Sequence, residues 1–170
     1  WKPVVEPSLP EVKDTEWGKQ PIDRFILSGL EKNALVPAES TDRRTLVRRT
    51  TYDLRGMPPT PEEVKNFVED DSPTAFEKVV DRLLSSPEFG EKWARHWMDL
   101  FRYAESRGHE FDANTPNAFR YRDYLIRALN KDVPYDQFVT EQIAGDLIEN
   151  PRLHSETGAN ESILATGFWF

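Results

Sequence analysis

One stretch of the sequence decides the fold, and it reads Trp93-Ala94-Arg95-His96-Trp97-Met98-Asp99-Leu100-Phe101-Arg102-Tyr103-Ala104-Glu105. Its apolar residues recur at helical spacing and form one broad stripe, made of Trp93, Trp97, Leu100, Phe101 and Ala104. Ser86-Pro87 stands just before the stretch, and proline is favoured at the first position of a helix. We therefore predict one long helix over residues 87–105, with its stripe facing a core.

Similar start signals recur along the chain. Thr60-Pro61-Glu62-Glu63 combines an N-cap, a proline and a capping box, and predicts a short helix to about residue 69. Ser72-Pro73 predicts another through residue 84. Apolar periodicity predicts further helices from Pro21, from a cap at Thr41 or Asp42 to Gly56, over 117–131, over 135–148 and from Glu161. No stretch alternates as a strand does. The prediction is an all-α, compact bundle of about seven helices.

The domain organisation follows from length and proline content. A chain of 170 residues is typical of one domain. Residues 1–20 contain Pro3, Pro7 and Pro10 and predict an extended arm, so residues 21–170 are the expected helical domain. The chain starts at Trp1 and stops on an aromatic run at Phe170, from which we expect a domain cut from a larger protein.

Charge and composition narrow the function classes. Thirty acidic residues against 22 basic ones give a net charge of −8, which disfavours nucleic-acid binding. The absence of cysteine excludes thiolate metal ligands and covalent haem attachment within these residues. No apolar run approaches the roughly 20 residues that a membrane span needs, so none is expected.

The long helix carries the first candidate site. His96, Asp99 and Tyr103 are spaced at i, i+3 and i+7 and would share a second strip, with Arg102 close by. His96 there is a candidate metal or haem ligand, or a general base oriented by Asp99. The alternative is an ion-pair ladder at the edge of the core, because one histidine and one carboxylate are too few for a closed metal site.

The second candidate is the loop that follows, from Glu105 to Asp112. It brings Glu105, His109, Glu110 and Asp112 close together in sequence, as in a divalent-cation site or an acid/base pair. No known metal motif has this spacing. The alternative is a solvated connection whose acids cap the next helix.

A run of arginines forms the third candidate, and it comprises Arg43, Arg44, Arg48, Arg49 and Arg55. These side chains could bind an anion or a phosphate. The alternative is a solvated helix face paired with Asp42, Asp53 and other nearby acids. Further on, residues 120–124 predict buried pairing between arginine and a carboxylate.

Several ordered motifs resemble one bacterial family. They are the stretch from Trp93 to Ser106, Leu54-Arg55-Gly56-Met57-Pro58-Pro59-Thr60-Pro61-Glu62-Glu63, Tyr121-Arg122-Asp123-Tyr124, Asn130-Lys131-Asp132-Val133-Pro134-Tyr135-Asp136-Gln137-Phe138, and Gln142-Ile143-Ala144-Gly145-Asp146-Leu147. The chain resembles, over nearly its whole length, the planctomycete cytochrome-c-associated domain of unknown function.

This resemblance implies a context more than a reaction. Such domains usually follow an N-terminal cytochrome-c-like domain in large periplasmic or secreted proteins, and their genes often accompany polysaccharide degradation. The resemblance therefore implies haem c in the parent protein, with His96 or His109 as a possible axial ligand. Its partners would be neighbouring domains of that protein, including the cytochrome-c-like segment, and a polysaccharide is a further possible partner. The family has no settled catalytic residues to carry over.

Three hypotheses about function follow. In the first, the domain is a non-catalytic helical module of an extracytoplasmic redox protein and packs beside a haem-bearing segment. In the second, it is part of a carbohydrate-active enzyme that uses the carboxylates of Glu105, Glu110 and Asp112. In the third, it is a structural scaffold.

Overall fold

The structure, a computed structural model, describes residues 2–108 and 110–169. Within them lie eight α-helices: α1 Pro21–Lys32, α2 Arg43–Arg55, α3 Pro61–Glu69, α4 Ala75–Leu84, α5 Pro87–Leu100, α6 Phe119–Asn130, α7 Tyr135–Ala144 and α8 Glu161–Ala165. Two short 3-10 helices, Gly145–Leu147 and Thr166–Trp169, complete the regular structure of this part of the chain, which otherwise has two isolated β-bridges. The all-α prediction is confirmed, with eight helices instead of about seven.

Local capping explains where several helices begin. Asp42 caps α2 by accepting a hydrogen bond from the Thr45 N–H at 3.0 Å. Thr60 and Glu63 form the predicted capping box at the start of α3, through bonds of 3.2 and 2.7 Å. The helix after Ser72-Pro73 instead begins two residues later than the motif predicts, because a turn in which the Ala75 N–H bonds to the Ser72 carbonyl comes first.

The predicted long helix over 87–105 is too long, because α5 ends at Leu100. Arg102 adopts the left-handed conformation at φ +53°, and the Tyr103 N–H bonds back to the Met98 carbonyl at 3.0 Å. This pattern is a Schellman helix end, where glycine is the usual left-handed residue. Because arginine stands here instead of glycine, the sequence contains no recognisable signal for the end of the helix. The predicted helix over 135–148 also stops early, at Ala144, and continues as a 3-10 turn.

The chain divides into two compact units, Trp1–Thr41 and Asp42–Phe170. In the first unit, Leu27 and Ser28 of α1 are buried. Two hydrogen bonds connect α1 to the preceding segment, from Arg24 Nε to the Gly18 carbonyl and from the Lys13 N–H to Glu31. The predicted boundary after residue 20 stays a prediction.

The second unit contains two apolar clusters. One joins α2, α3 and α4 through Val47, Phe67, Ala75, Val79 and Leu83. The other joins α5 to α8 through Ala94, Tyr121, Tyr124, Leu125, Ala128, Phe138 and Ala165. Helices α5 and α6 approach so closely at Gly90 that a Cβ there would lie 2.5 Å from the Ile126 carbonyl oxygen. This contact fixes α5, which carries most of the first candidate site. No helix in the described ranges is long and apolar enough to cross a bilayer.

Candidate functional site

One stripe runs along the outer side of α5 and consists of half-buried Phe89 and exposed Trp93, His96 and Leu100, spaced at i, i+4, i+7 and i+11. Ring centroids are 6.1 Å apart for Phe89 and Trp93, and 5.3 Å apart for Trp93 and His96. Trp93 is 40% exposed and Leu100 is 72% exposed. The opposite side of the helix is directed into the core, where Ala94 is buried and the Trp97 ring packs at 4.8 Å from Phe138. The stripe predicted from the sequence therefore divides, because Trp97 packs in the core and Trp93 and Leu100 are exposed. The outer stripe of Phe89, Trp93, His96 and Leu100 is here called the α5 stripe.

The early end of α5 separates the residues of the first candidate site. His96 and Asp99 are both exposed on the helix, and Arg102 is exposed at its left-handed end. Tyr103 lies beyond the helix, so the predicted strip of His96, Asp99 and Tyr103 does not form. The His96 imidazole has Trp93 as its ring neighbour.

Tyr103 instead belongs to a polar cluster with Glu105 and Arg122. The Tyr103 hydroxyl donates to Glu105 Oε1 at 2.8 Å, and Arg122 Nη1 donates to the same oxygen at 2.6 Å. Arg122 also pairs with Asp123 at 3.2 Å. Burial, and after it the bond to Glu105, raises the pKa of Tyr103 to about 12. Tyr103 therefore stays protonated as a hydrogen-bond donor near neutral pH.

The loop from Glu105 to Thr115 is closed on itself. Ser106 and Asn114 form an antiparallel bridge, and the Thr115 N–H bonds to the Glu105 carbonyl at 2.8 Å. Asp112 accepts from the Gly108 N–H at 2.8 Å, and its pKa is lowered by the Ser106 side chain and by this backbone bond. Glu110 is exposed. His109, another predicted site residue, lies outside the described residues.

The arginines of the third candidate site fall into two groups, of which the first forms contacts within the fold. Arg43 stacks over the Phe67 ring at 4.2 Å and donates to backbone carbonyls of Phe67 and Asp70. Arg55 pairs with Glu63 at 3.2 Å, and Arg82 donates to the same carboxylate. Burial raises the pKa of Glu63, but the Thr60 N–H and these two guanidiniums outweigh it and lower that pKa to about 2.

The other arginines of α2 are exposed, and they are Arg44, Arg48 and Arg49. None of them forms an ion pair with another residue in the described part of the chain. The pairing with Asp42 and Asp53 that the sequence favoured is thus absent among the described residues, and Asp42 instead caps the helix through Thr45.

Sequence reasoning missed the most buried charges, which join α6, α7 and α8. The Glu141 carboxylate is fully buried and accepts from Arg152 at 2.8 and 3.1 Å, and from the Tyr124 hydroxyl at 2.8 Å. Glu161 is equally buried and accepts from Arg127 at 2.8 and 3.0 Å. The buried arginine–carboxylate pairing predicted near residues 120–124 is instead half-exposed, because Arg122 pairs with Glu105 and Asp123 at the surface. The only sequence signal for Glu141 is its place beside Phe138 and Gln142 on the buried side of α7.

Haem does not fit a site built by these residues alone. His96 lies on the outward side of a helix, where the chain provides one imidazole and a flat aromatic neighbour. A haem pocket surrounds the macrocycle with apolar side chains as well as supplying axial ligands. Among the described residues there is also no group of three or more His, Asp or Glu placed to hold a metal ion.

Comparison with protein families matched residues 21–170 to the family described as PSCyt2, protein of unknown function (DUF1549). This match confirms the family resemblance drawn from the motifs. The comparison with curated proteins and the comparison with solved structures each returned no match.

Proposed function

Because this chain belongs to the PSCyt2 (DUF1549) family, we propose that it is a non-catalytic helical module of a larger extracytoplasmic protein. In this proposal the α5 stripe packs against a haem-bearing, cytochrome-c-like segment of the same protein. The partner segment binds the haem, and this chain supplies an apolar surface that covers it.

The α5 stripe is the observation that carries the proposal. It places an aromatic ring, an imidazole and a leucine side chain outward on one helix face about 10 Å long. Exposed tryptophan at the centre of an apolar face is enriched where proteins bind one another. Aromatic side chains that exclude water from a neighbouring haem also influence its reduction potential.

The carbohydrate-active alternative depends on Glu105, Glu110 and Asp112. A glycoside hydrolase needs one carboxyl group with a raised pKa to act as the general acid. The pKa of Asp112 is lowered, and Glu105 is held by Arg122 and Tyr103. These contacts favour structural roles for both acids, so the module remains the better-supported function.

Visible absorption of the intact parent protein, oxidised and reduced, tests the haem part of the proposal. We expect a haem spectrum whose reduction midpoint shifts when Trp93→Ser or His96→Ala alters the α5 stripe. His154→Ala, which removes a histidine in the loop before α8, is the matched control and should leave the midpoint unchanged.

Hydroxyl-radical footprinting tests the packing independently. Trp93 should be oxidised more slowly in the intact protein than in the 170-residue chain alone. Equal oxidation in both, or the lack of any haem signal in the intact protein, would overturn the proposal. An unchanged midpoint in both stripe variants would leave the domain as a scaffold.

A further inference from the structure

Helix α2 concentrates positive charge in an acidic protein. Its 13 residues hold five arginines and one aspartate, whereas the chain has a net charge of −8. The excess is therefore a local property of one helix, about 20 Å long, and the rest of the chain is strongly acidic.

Two of the five arginines in α2 stabilise the fold through hydrogen bonds or an ion pair. Arg43 and Arg55 bond to α3 and to the segments that border it, as described above. Arg44, Arg48 and Arg49 extend into solvent together with the half-exposed ring of Tyr52, and these residues define the α2 basic face. The buried side of the same helix carries Val47 and Thr51.

The arrangement of the α2 basic face is unfavourable for the isolated helix. Arg44 lies in the first turn, where the helix dipole disfavours a cation and where the nearest acid in sequence is Asp42, whose carboxylate caps the helix. Arg44 and Arg48 are also like charges at i and i+4. An anionic partner would remove both penalties at once.

The spacing of Arg44 and Arg48 favours a pair of carboxylates as the bound anion. The Arg48 guanidinium lies over the Tyr52 ring, 5.1 Å from its centre, and a guanidinium in such a contact can still donate from its N–H groups to an anion. Arg44 is one helical turn away, about 6 Å along the axis. Two carboxylates one turn apart on a partner helix match this spacing, and each can accept a two-pronged bond from a guanidinium.

We propose that the α2 basic face binds an acidic segment of another polypeptide, with Arg44 and Arg48 each bonded to one carboxylate. A long polyanion such as nucleic acid fits less well, because the residues outside α2 carry a net negative charge that repels it. This interaction uses a different helix from the α5 stripe and stands independently of it.

Fluorescence anisotropy with the whole 170-residue chain tests the proposal. The probe is a labelled helical peptide with glutamate at every fourth position, and the matched peptide has glutamine there. We expect binding to the glutamate peptide at low ionic strength, and weaker binding as salt is added. Arg44→Gln/Arg48→Gln should weaken binding about tenfold, whereas Lys65→Gln/Arg120→Gln, which removes two exposed charges from α3 and α6, should change it less than about twofold.

The four positions are exposed, so circular dichroism of both variants should show an intact fold. The proposal is overturned if the glutamine peptide binds as well, or if both double variants weaken binding equally. It is also overturned if the glutamate peptide does not bind at low salt, or if single-stranded DNA displaces it at equal charge concentration.

Discussion

Replacing Arg152 by methionine should destabilise the chain far more than any exposed ion pair could. Arg152 donates two hydrogen bonds to the Glu141 carboxylate, which has no exposed surface. The remaining donors to Glu141 are neutral: Tyr124 at 2.8 Å, Gln137 at 3.1 Å and Ser162 at 3.2 Å. Removing the cation therefore leaves a buried, uncompensated negative charge.

The expected cost is about 3–5 kcal/mol of unfolding free energy, the range found when one partner of a buried pair is removed. For a chain of this length, each kcal/mol lowers the melting temperature by about 2–4 °C, so the midpoint should fall by roughly 6–20 °C. Urea unfolding followed by circular dichroism measures the free energy directly. The matched control is Arg122→Met, which breaks the half-exposed pair with Glu105 and should cost about 1 kcal/mol or less.

A double variant separates charge from packing. Adding Glu141→Gln to Arg152→Met removes the buried charge and keeps an acceptor for Tyr124 and Ser162. This double variant should be more stable than Arg152→Met alone. The reasoning is refuted if Arg152→Met costs no more than Arg122→Met, or if Glu141→Gln makes the single variant worse.

Three further predictions concern local features. The pKa of Glu63 falls from 4.5 to about 2 on folding, so the stability that its charge contributes is complete above pH 4.5 and is lost as the pH falls towards 2. In urea titrations, the difference in unfolding free energy between wild type and Glu63→Gln should therefore shrink over this pH range. A constant difference would contradict the prediction. Gly145→Ala should cost about 3 kcal/mol, because its Cβ would lie 1.8 Å from the Ser162 carbonyl oxygen. Gly29→Ala, inside α1 and with open space around it, should instead raise stability by up to about 1 kcal/mol in the same thermal melts. Arg102→Gly should raise the unfolding free energy by about 1 kcal/mol by relieving the left-handed conformation, and a loss of stability would mean that the arginine side chain makes contacts that outweigh it.

The sequence predicted the features that depend on neighbouring residues. The capping box at Thr60 and Glu63 and the glycine at the end of α2 act within a few residues of their own positions. The end of α5 was missed because Arg102 occupies a left-handed position where no glycine marks it. A left-handed helix end can be predicted from the sequence only when glycine, the usual residue, occupies it.

The contacts of the candidate site depend on the tertiary structure instead. Arg122 reaches Glu105 across 17 residues, and Arg127 reaches Glu161 across 34. From the sequence alone, a glutamate in an amphipathic helix is expected to face solvent, because the elements that pack against the helix are not known. Glu141 was therefore not predicted, and Trp93 and Leu100 of the α5 stripe were predicted as core although they are exposed.

The burial of Glu161 has a consequence for how this half of the chain folds. Helix α8 has five residues, too few to persist as a helix in water without tertiary contacts. Its Glu161 neutralises Arg127 of α6, and its Ser162 bonds to Glu141 of α7. During synthesis α6 and α7 emerge first, so their charged groups must remain hydrated until residues 152–162 arrive. Completion of this core is thus a late, long-range event, and amides of α7 and α8 should exchange their hydrogens together as one cooperative unit.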